Sequence, residues 1–241
     1  MNIICVSWGN KYSDYVAKLK KQIENNCSIK YNFYCLTDNP SKEYDILLPD
    51  FWDEYYNPEK NFFWAYRKCY MFNENLFPFE GDEFLYLDLD VLIHQDLSYF
   101  KNLEMSKPYI VRGWWKNSDN LYKNYGKLDS TLFNSSVIRW NRGQLKPIYE
   151  HINKHKEVIF FTYRTIDNYF YHFFYKLGEE NRCLFNVFPK NDVYSWYKGN
   201  IFNVDMEVKK LRTERKICLF NNSTSHEEEH MNGIKELKEL W

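Results

Sequence analysis

The chain predicts an α/β fold, a single domain with a mainly parallel mixed sheet flanked by helices. Short apolar strands alternate with helical patterns through the first half, the arrangement of βαβ units. No internal repeat, low-complexity linker or Pro/Gly/Ser-rich hinge divides the 241 residues, a length that suffices to bury a substantial core. Phe84 to Ile93 reads as the unbroken apolar run of a strand covered on both faces, interrupted only by Asp88 and Asp90.

Taken in order, Asn2-Ile3-Ile4-Cys5-Val6-Ser7 is the first strand. Tyr12, Tyr15, Val16, Leu19 and Ile23 then recur at helical spacing. A second strand runs from Tyr31 to Leu36 and ends in Thr37-Asp38-Asn39-Pro40; a third, Tyr44 to Leu48, is stopped by Pro49. Asn61 to Leu76 predicts an aromatic-rich helix leading into the acidic strand. Strands follow at Tyr109 to Arg112 and Thr131 to Trp140, helices at Gln144 to His155 and Tyr163 to Leu177, and strands at Leu184 to Phe188 and Lys216 to Phe220. In the tail, Ile234, Leu237, Leu240 and Trp241 recur at helical spacing and are expected to pack back on the domain, with a partner or membrane-surface role as the alternative.

Side chains alternate along a strand, so the pattern places Asp88 and Asp90 on one face and Leu89 on the other. Acids inside an apolar run need a partner that offsets the cost of desolvating them. Two converging carboxylates form a hard, oxygen-rich site that suits Mg²⁺ or Mn²⁺ carrying a phosphate-containing ligand. The alternative, acids that end a strand and face water, is opposed by the resumption of apolar residues at Val91. Open α/β sheets bind ligands beyond the carboxyl ends of their strands. Ser7-Trp8-Gly9, Thr37-Asp38 and Asp88-Leu89-Asp90 would form one polar rim there, a nucleotide site.

A formal net charge of −1 argues against a general electrostatic grip on nucleic acid or anionic lipid. The N-terminus enters a strand without a basic leader or cleavage site, and no apolar run is long enough to span a bilayer, so a cytoplasmic protein with no transmembrane segment is expected. Six scattered cysteines, at 5, 27, 35, 69, 183 and 218, lack any C-x-x-C pair and read as reduced core thiols. On that reading the sequons at Asn26, Asn134 and Asn222 carry no glycan. Aromatic residues make up 20% of the chain, a supply that serves either core packing or the apolar faces of sugars. The pair Trp114-Trp115 carries the same two readings.

These residues resemble the GT-A glycosyltransferases, the nucleotide-diphospho-sugar transferase fold, and in particular its small family-8-like enzymes. Trp8-Gly9 after the first strand and Cys35-Leu36-Thr37-Asp38 resemble the family's nucleoside-binding edge. Lys68-Cys69-Tyr70-Met71-Phe72 is similar to its K-x-x-x-F helix, and Leu85 to Asp90 to its L-Y-L-D-x-D strand. Asn134-Ser135-Ser136-Val137 through Trp140 is similar to its N-S-S-V strand, and Asp167-Asn168 stands where the family usually has Asp-Gln. The resemblance implies one glycosyltransferase domain over 1–241, with a nucleotide-binding part at 1–100 and an acceptor and sugar part, with the tail, at 101–241. It implies an enzyme that moves a hexosyl or pentosyl group from a nucleotide-sugar donor, UDP-sugars being favoured, to a glycan or other hydroxyl acceptor.

Within that resemblance, Asp88 and Asp90 would hold the metal that bridges the donor diphosphate, and Asp88 would also meet the ribose or sugar. Ser7, Trp8, Gly9, Asp38 and Leu89 would complete the nucleotide edge. Lys68, with Arg67, would face phosphate or sugar oxygens; a solvated helix face is the other reading of both. Asn134, Ser135, Asp167 and Asn168 would bind sugar hydroxyls, against a reading as ordinary strand-end and helix-start polarity. Family members commonly place a His, often followed by Gly and a Lys-Pro pair, after the last strand. Here Asn221 holds that position, with His226 a little further on, so both are candidate third metal ligands. An inverting reaction needs a carboxylate base, for which Asp167 is the first candidate and Asp129 the second.

Two rivals stand beside this reading. His226-Glu227-Glu228-Glu229-His230 fits H-E-x-x-H, with Gly233 and Glu236 nearby, which would make a zinc metallopeptidase. Three consecutive acids read more simply as a solvated surface. A non-catalytic sugar- or nucleotide-binding module on the same fold is the second, because architecture does not fix activity.

Overall fold

In the computed structural model, which describes residues 1–9, 13–55, 63–113, 131–172, 184–196 and 212–220, β1 (Asn2–Ser7) runs parallel to both of its neighbours, β2 (Asn32–Thr37) and β4 (Glu83–Leu87). The register pairs Ser7 with Thr37 and Ile4 with both Tyr34 and Tyr86. Both faces of β1 are covered, which is why it reads as an apolar run rather than an alternating one. Ile4, Leu36, Phe84 and Tyr86 join one core; Ile3, Cys5, Cys35, Leu85 and Leu87 join the other, against α1 (Ser13–Asn25).

Four further strands complete a seven-stranded sheet of order β3-β2-β1-β4-β7-β6-β8. Three are β6 (Tyr109–Arg112), β7 (Phe133–Asn141) and β8 (Asn186–Val187), while β3 (Asp45–Leu47) closes the other edge. β7 runs antiparallel to β4 and β6, so the sheet is mixed, as expected. It takes strands from both sides of residue 100, and β4 pairs with β7 at its centre.

Three expectations need correction. Phe84 to Ile93 is not one strand: β4 ends at Leu87 and β5 (Val91–Ile93) belongs to a separate three-stranded sheet, β5-β10-β9, with β9 (Val193–Ser195) and β10 (Ile217–Leu219). The strand alternation argument therefore does not govern Asp88 to Asp90, which form the turn between the two sheets. Turns favour Asp, and here both acids remain partly exposed while only Leu89 is buried. The stretch expected as one α-helix is 3₁₀ over Phe63–Phe72 and again over Glu74–Leu76. Three residues per turn align Tyr66, Cys69 and Phe72 in one row, all fully buried. After a short helix α2 (Ser98–Lys101), the helix expected to end at His155 continues as α3 (Lys146–Thr162), with a non-helical His155 (φ −126°, ψ 22°) at a kink.

The described cysteines are free thiols: Cys5, Cys35, Cys69 and Cys218 are buried and Cys27 is half-buried. No helix among the described residues is long and apolar enough to cross a membrane.

Candidate functional site

The carboxyl ends of β1, β2 and β4 share one edge of the sheet because the three strands are parallel neighbours. Past β1, Gly9 takes a left-handed backbone (φ +72°), a conformation glycine adopts without penalty. That turn aims its N–H at the loop after β2, where both Asp38 carboxylate oxygens accept it, at 3.0 and 3.2 Å. Ser7 and Thr37 lie side by side at the strand ends beneath this contact.

Trp8 carries the Arg67 guanidinium 3.5 Å from its ring centroid, a stacking that a planar delocalised cation favours. Arg67 also donates from Nη2 to Asp53 Oδ2 at 2.8 Å and is almost fully buried. Sequence reasoning did not single out Asp53; nothing in its spacing marks it as the partner of a residue fourteen positions on.

Lys68 is buried, and its ammonium donates to three acceptors: Asp88 Oδ1 at 3.0 Å, Ser135 Oγ at 3.2 Å and the Ser135 carbonyl at 3.3 Å. Three bonds use all three protons of the group, so Lys68 does not form a solvated face. The Tyr86 hydroxyl also donates to Asp88 Oδ1. Burial, together with the adjacent Asp88 carboxylate, pushes the Tyr86 phenol well above its ordinary range, which keeps it a donor. Sequence reasoning did not single out Tyr86, whose bond to Asp88 forms where the chain leaves β4 for the turn.

The same residues connect β4 to β7 and to α4 (Ile166–Tyr171). Asp88 N–H donates to the Ser136 carbonyl at 2.8 Å, extending the β4–β7 ladder by one residue. Ser135 N–H donates to Asp167 Oδ1 at 2.9 Å, and Thr131 Oγ1 to the Asp167 carbonyl at 3.0 Å. Asp167 thus sits in the first turn of α4, where acids are favoured, rather than within an apolar helix interior. Thr165 caps that helix by accepting from Asn168 N–H at 3.2 Å. Asn134 Oδ1 accepts from Ser136 N–H at 3.1 Å. Asn168 is buried, and among the described residues its Nδ2 has no hydrogen-bond partner. An orphaned buried donor is costly, so this amide is poised for one.

Asp88, Lys68, Ser135 and Asp167 are therefore one connected polar group. Trp8 and Arg67 form a second, and Gly9 with Asp38 a third, on the same rim. Asp90 ties the turn to the small sheet, its carbonyl accepting from Phe220 N–H at 3.2 Å. Asp129, Asn221, His226, the remainder of the 226–230 motif, Gly233, Glu236, Trp114-Trp115 and the apolar tail lie outside the described residues.

Among the described residues no three His, Cys, Asp or Glu side chains cluster to hold a metal. The donor set still fits Mg²⁺ or Mn²⁺. Such ions are held by one or two carboxylates plus substrate phosphates and water, without an all-protein cage. Asp88 meets this need: Lys68 and Tyr86 both engage Oδ1, while Oδ2 carries no hydrogen bond among the described residues.

No family model matches the chain, and no curated protein does. Solved structures do. The galactosyltransferase LgtC in complex with donor and acceptor sugar analogs is 14% identical, with a TM-score of 0.66 over 100% of this chain and 95% of that one. A glycosyltransferase involved in the glycosylation of the major capsid of PBCV-1 is 16% identical, with a TM-score of 0.56 over 97% and 100%. Mouse xyloside xylosyltransferase 1 is 15% identical, with a TM-score of 0.52 over 93% and 99%. At these identities the likeness is one of fold. The seven-stranded mixed sheet flanked by helices is the GT-A glycosyltransferase fold.

Proposed function

We propose that this chain is a metal-dependent glycosyltransferase that moves a sugar from a nucleotide-diphospho-sugar to a hydroxyl acceptor. The observation that carries the reading is the position of Asp88. It leaves the central parallel strand at the edge where α/β folds take nucleotides, with one carboxylate oxygen anchored by Lys68 and Tyr86. UDP-sugars are the favoured donors because the enzymes this sequence resembles mostly use them.

Asp88 and Asp90 would hold Mn²⁺ or Mg²⁺. Bound there, the ion would supply Lewis-acid stabilisation of charge on the departing diphosphate. Lys68 adds a fixed positive charge beside the same site, already oriented by its three bonds and so needing little reorganisation during reaction. Trp8, backed by Arg67, and the Gly9–Asp38 turn form the side of the rim assigned to the nucleoside. Asn134, Ser135 and the Asn168 amide, whose Nδ2 has no hydrogen-bond partner among the described residues, serve sugar hydroxyls.

The acceptor oxygen forms a bond to the anomeric carbon while the bond from that carbon to the phosphate oxygen breaks. The nucleoside diphosphate leaves with the electron pair, through a transition state of oxocarbenium character. In an inverting course Asp167 takes the acceptor proton on its carboxylate; Ser135 N–H holds Oδ1 and orients the group for this.

The test is donor hydrolysis without acceptor. Nucleoside diphosphate release from a panel of UDP-, GDP- and ADP-sugars is followed with Mn²⁺, Mg²⁺ or chelator. Slow, metal-dependent release from one donor, lost in Asp88→Asn, supports the reading. Donor binding without release would favour the binding-module alternative, and metal-independent release would remove the metal from the proposal.

A further inference from the structure

A groove of about 410 Å³ lies away from this rim, at the amino end of β2. It exists because β3 pairs with β2 only from Cys35 onward, so among the described strands none covers the outer side of Asn32, Phe33 and Tyr34. Three tyrosines line the groove: Tyr31 and Tyr34, which flank Asn32 and Phe33, and Tyr44 just before β3. All three are half-buried. Buried rings set two of them: Tyr44 stands edge-on to Phe33 at 5.2 Å, and Tyr34 tilts onto Phe79 at 5.1 Å.

The charged residues of the wall restrict the ligand. Lys20, Glu43 and Glu80 line it, and Lys20 is already paired with Glu24 on α1. The wall is acidic on balance, which disfavours phosphate, nucleotide or any other anion. Fixed phenol rings beside carboxylate, amide and hydroxyl groups match a ligand with apolar faces edged by hydroxyls. The volume is in the range of small-ligand sites. We infer that this groove is an ancillary binding site for a neutral oligosaccharide, separate from the proposed transfer site.

Phe33 lies on β2 and Asp38 just past its end, five residues on, so the groove and the rim are separated by about 16 Å. A glycan acceptor several sugars long could then be retained at the groove while its end is extended at the rim. This role as an acceptor anchor rests on the glycosyltransferase reading; the binding itself does not.

The test uses the full-length protein, isotope-labelled for NMR. Maltotetraose, cellotetraose and chitotetraose are titrated separately to millimolar concentration, beside tetralysine and an uncharged extended peptide. One saccharide should shift the amides of residues 31–34, 43, 44 and 80 and receive saturation from the tyrosine rings. Tyr34→Ala with Tyr44→Ala should weaken that binding by about ten-fold or more, while Tyr34→Phe with Tyr44→Phe, which keeps the rings and checks folding, should retain most of it. The proposal is overturned if no saccharide moves these signals, or if a peptide moves them and saccharides do not. Donor hydrolysis should be equal in wild type and groove variants. Hydrolysis with no saccharide at the groove rejects the groove alone, whereas saccharide binding with no hydrolysis rejects the transferase reading alone.

Discussion

Lys68 and Asp88 form a partly buried ion pair of 3.0 Å, and the same ammonium crosses from β4 to Ser135 on β7. Twenty residues separate the two in sequence, and the pair joins the 3₁₀ segment to the carboxyl end of the central strand. Asp88 is thereby held in one orientation at the site proposed for the metal.

Replacing Lys68 with Met should destabilise the fold by about 1–3 kcal/mol, because Asp88 then loses its counter-charge while remaining mostly shielded. Urea denaturation measures this. On the transferase reading, donor turnover should also fall by about a hundred-fold. Unchanged turnover would make Lys68 a purely structural residue. Tyr86→Phe, which removes one hydroxyl, should cost about 1 kcal/mol.

Asp88→Asn and Asp90→Asn should each weaken Mn²⁺ binding by about a hundred-fold, read from the electron spin resonance signal of free Mn²⁺ rather than from activity. Secondary structure by circular dichroism should be retained, since both acids lie in a turn. Retained affinity in both variants would remove the metal from this turn.

Arg67→Ala should lower stability by about 2 kcal/mol, from loss of the stack on Trp8 and of the pair with Asp53. Trp8 emission should change with it. The check is the difference spectrum between Arg67→Ala and the same variant carrying Trp8→Phe. A spectrum identical to that of wild type against Trp8→Phe would contradict the stacking.

Stability should fall in mild acid through His94. Burial, and then the positive Arg212, lowers its pKa from about 6.5 to about 4. Its ring is stacked with Tyr194 and shares a 2.8 Å hydrogen bond with the Tyr194 hydroxyl. Between those values the unfolded chain binds a proton that the folded chain does not, so stability rises with pH. The contribution is fully present above pH 6.5 and is lost as pH falls toward 4, by about 3 kcal/mol in all. Denaturation midpoints from pH 4 to 7 should show this slope in wild type and a shallower one in His94→Phe.

The order of strands and helices was legible because it rests on local patterns. Ile3, Ile4 and Cys5 read as a strand buried on both faces, and Tyr15, Val16, Leu19 and Ile23 as one face of a helix; both follow from the period of the backbone. That Ser7, Thr37 and the Asp88 turn share one edge was legible for the same reason, since parallel neighbouring strands finish on the same side of a sheet. Tertiary contacts decided the rest. Whether Phe84 to Ile93 is one strand or two depends on β10, which pairs with β5 from more than a hundred residues away and draws it into another sheet. Whether Lys68 faces water or Asp88 depends on how the aromatic segment packs over β4 and β7. A residue's type and spacing state what it can do. Its partner is set by chain distant in sequence, and the free energy of bringing those parts together appears in no local pattern.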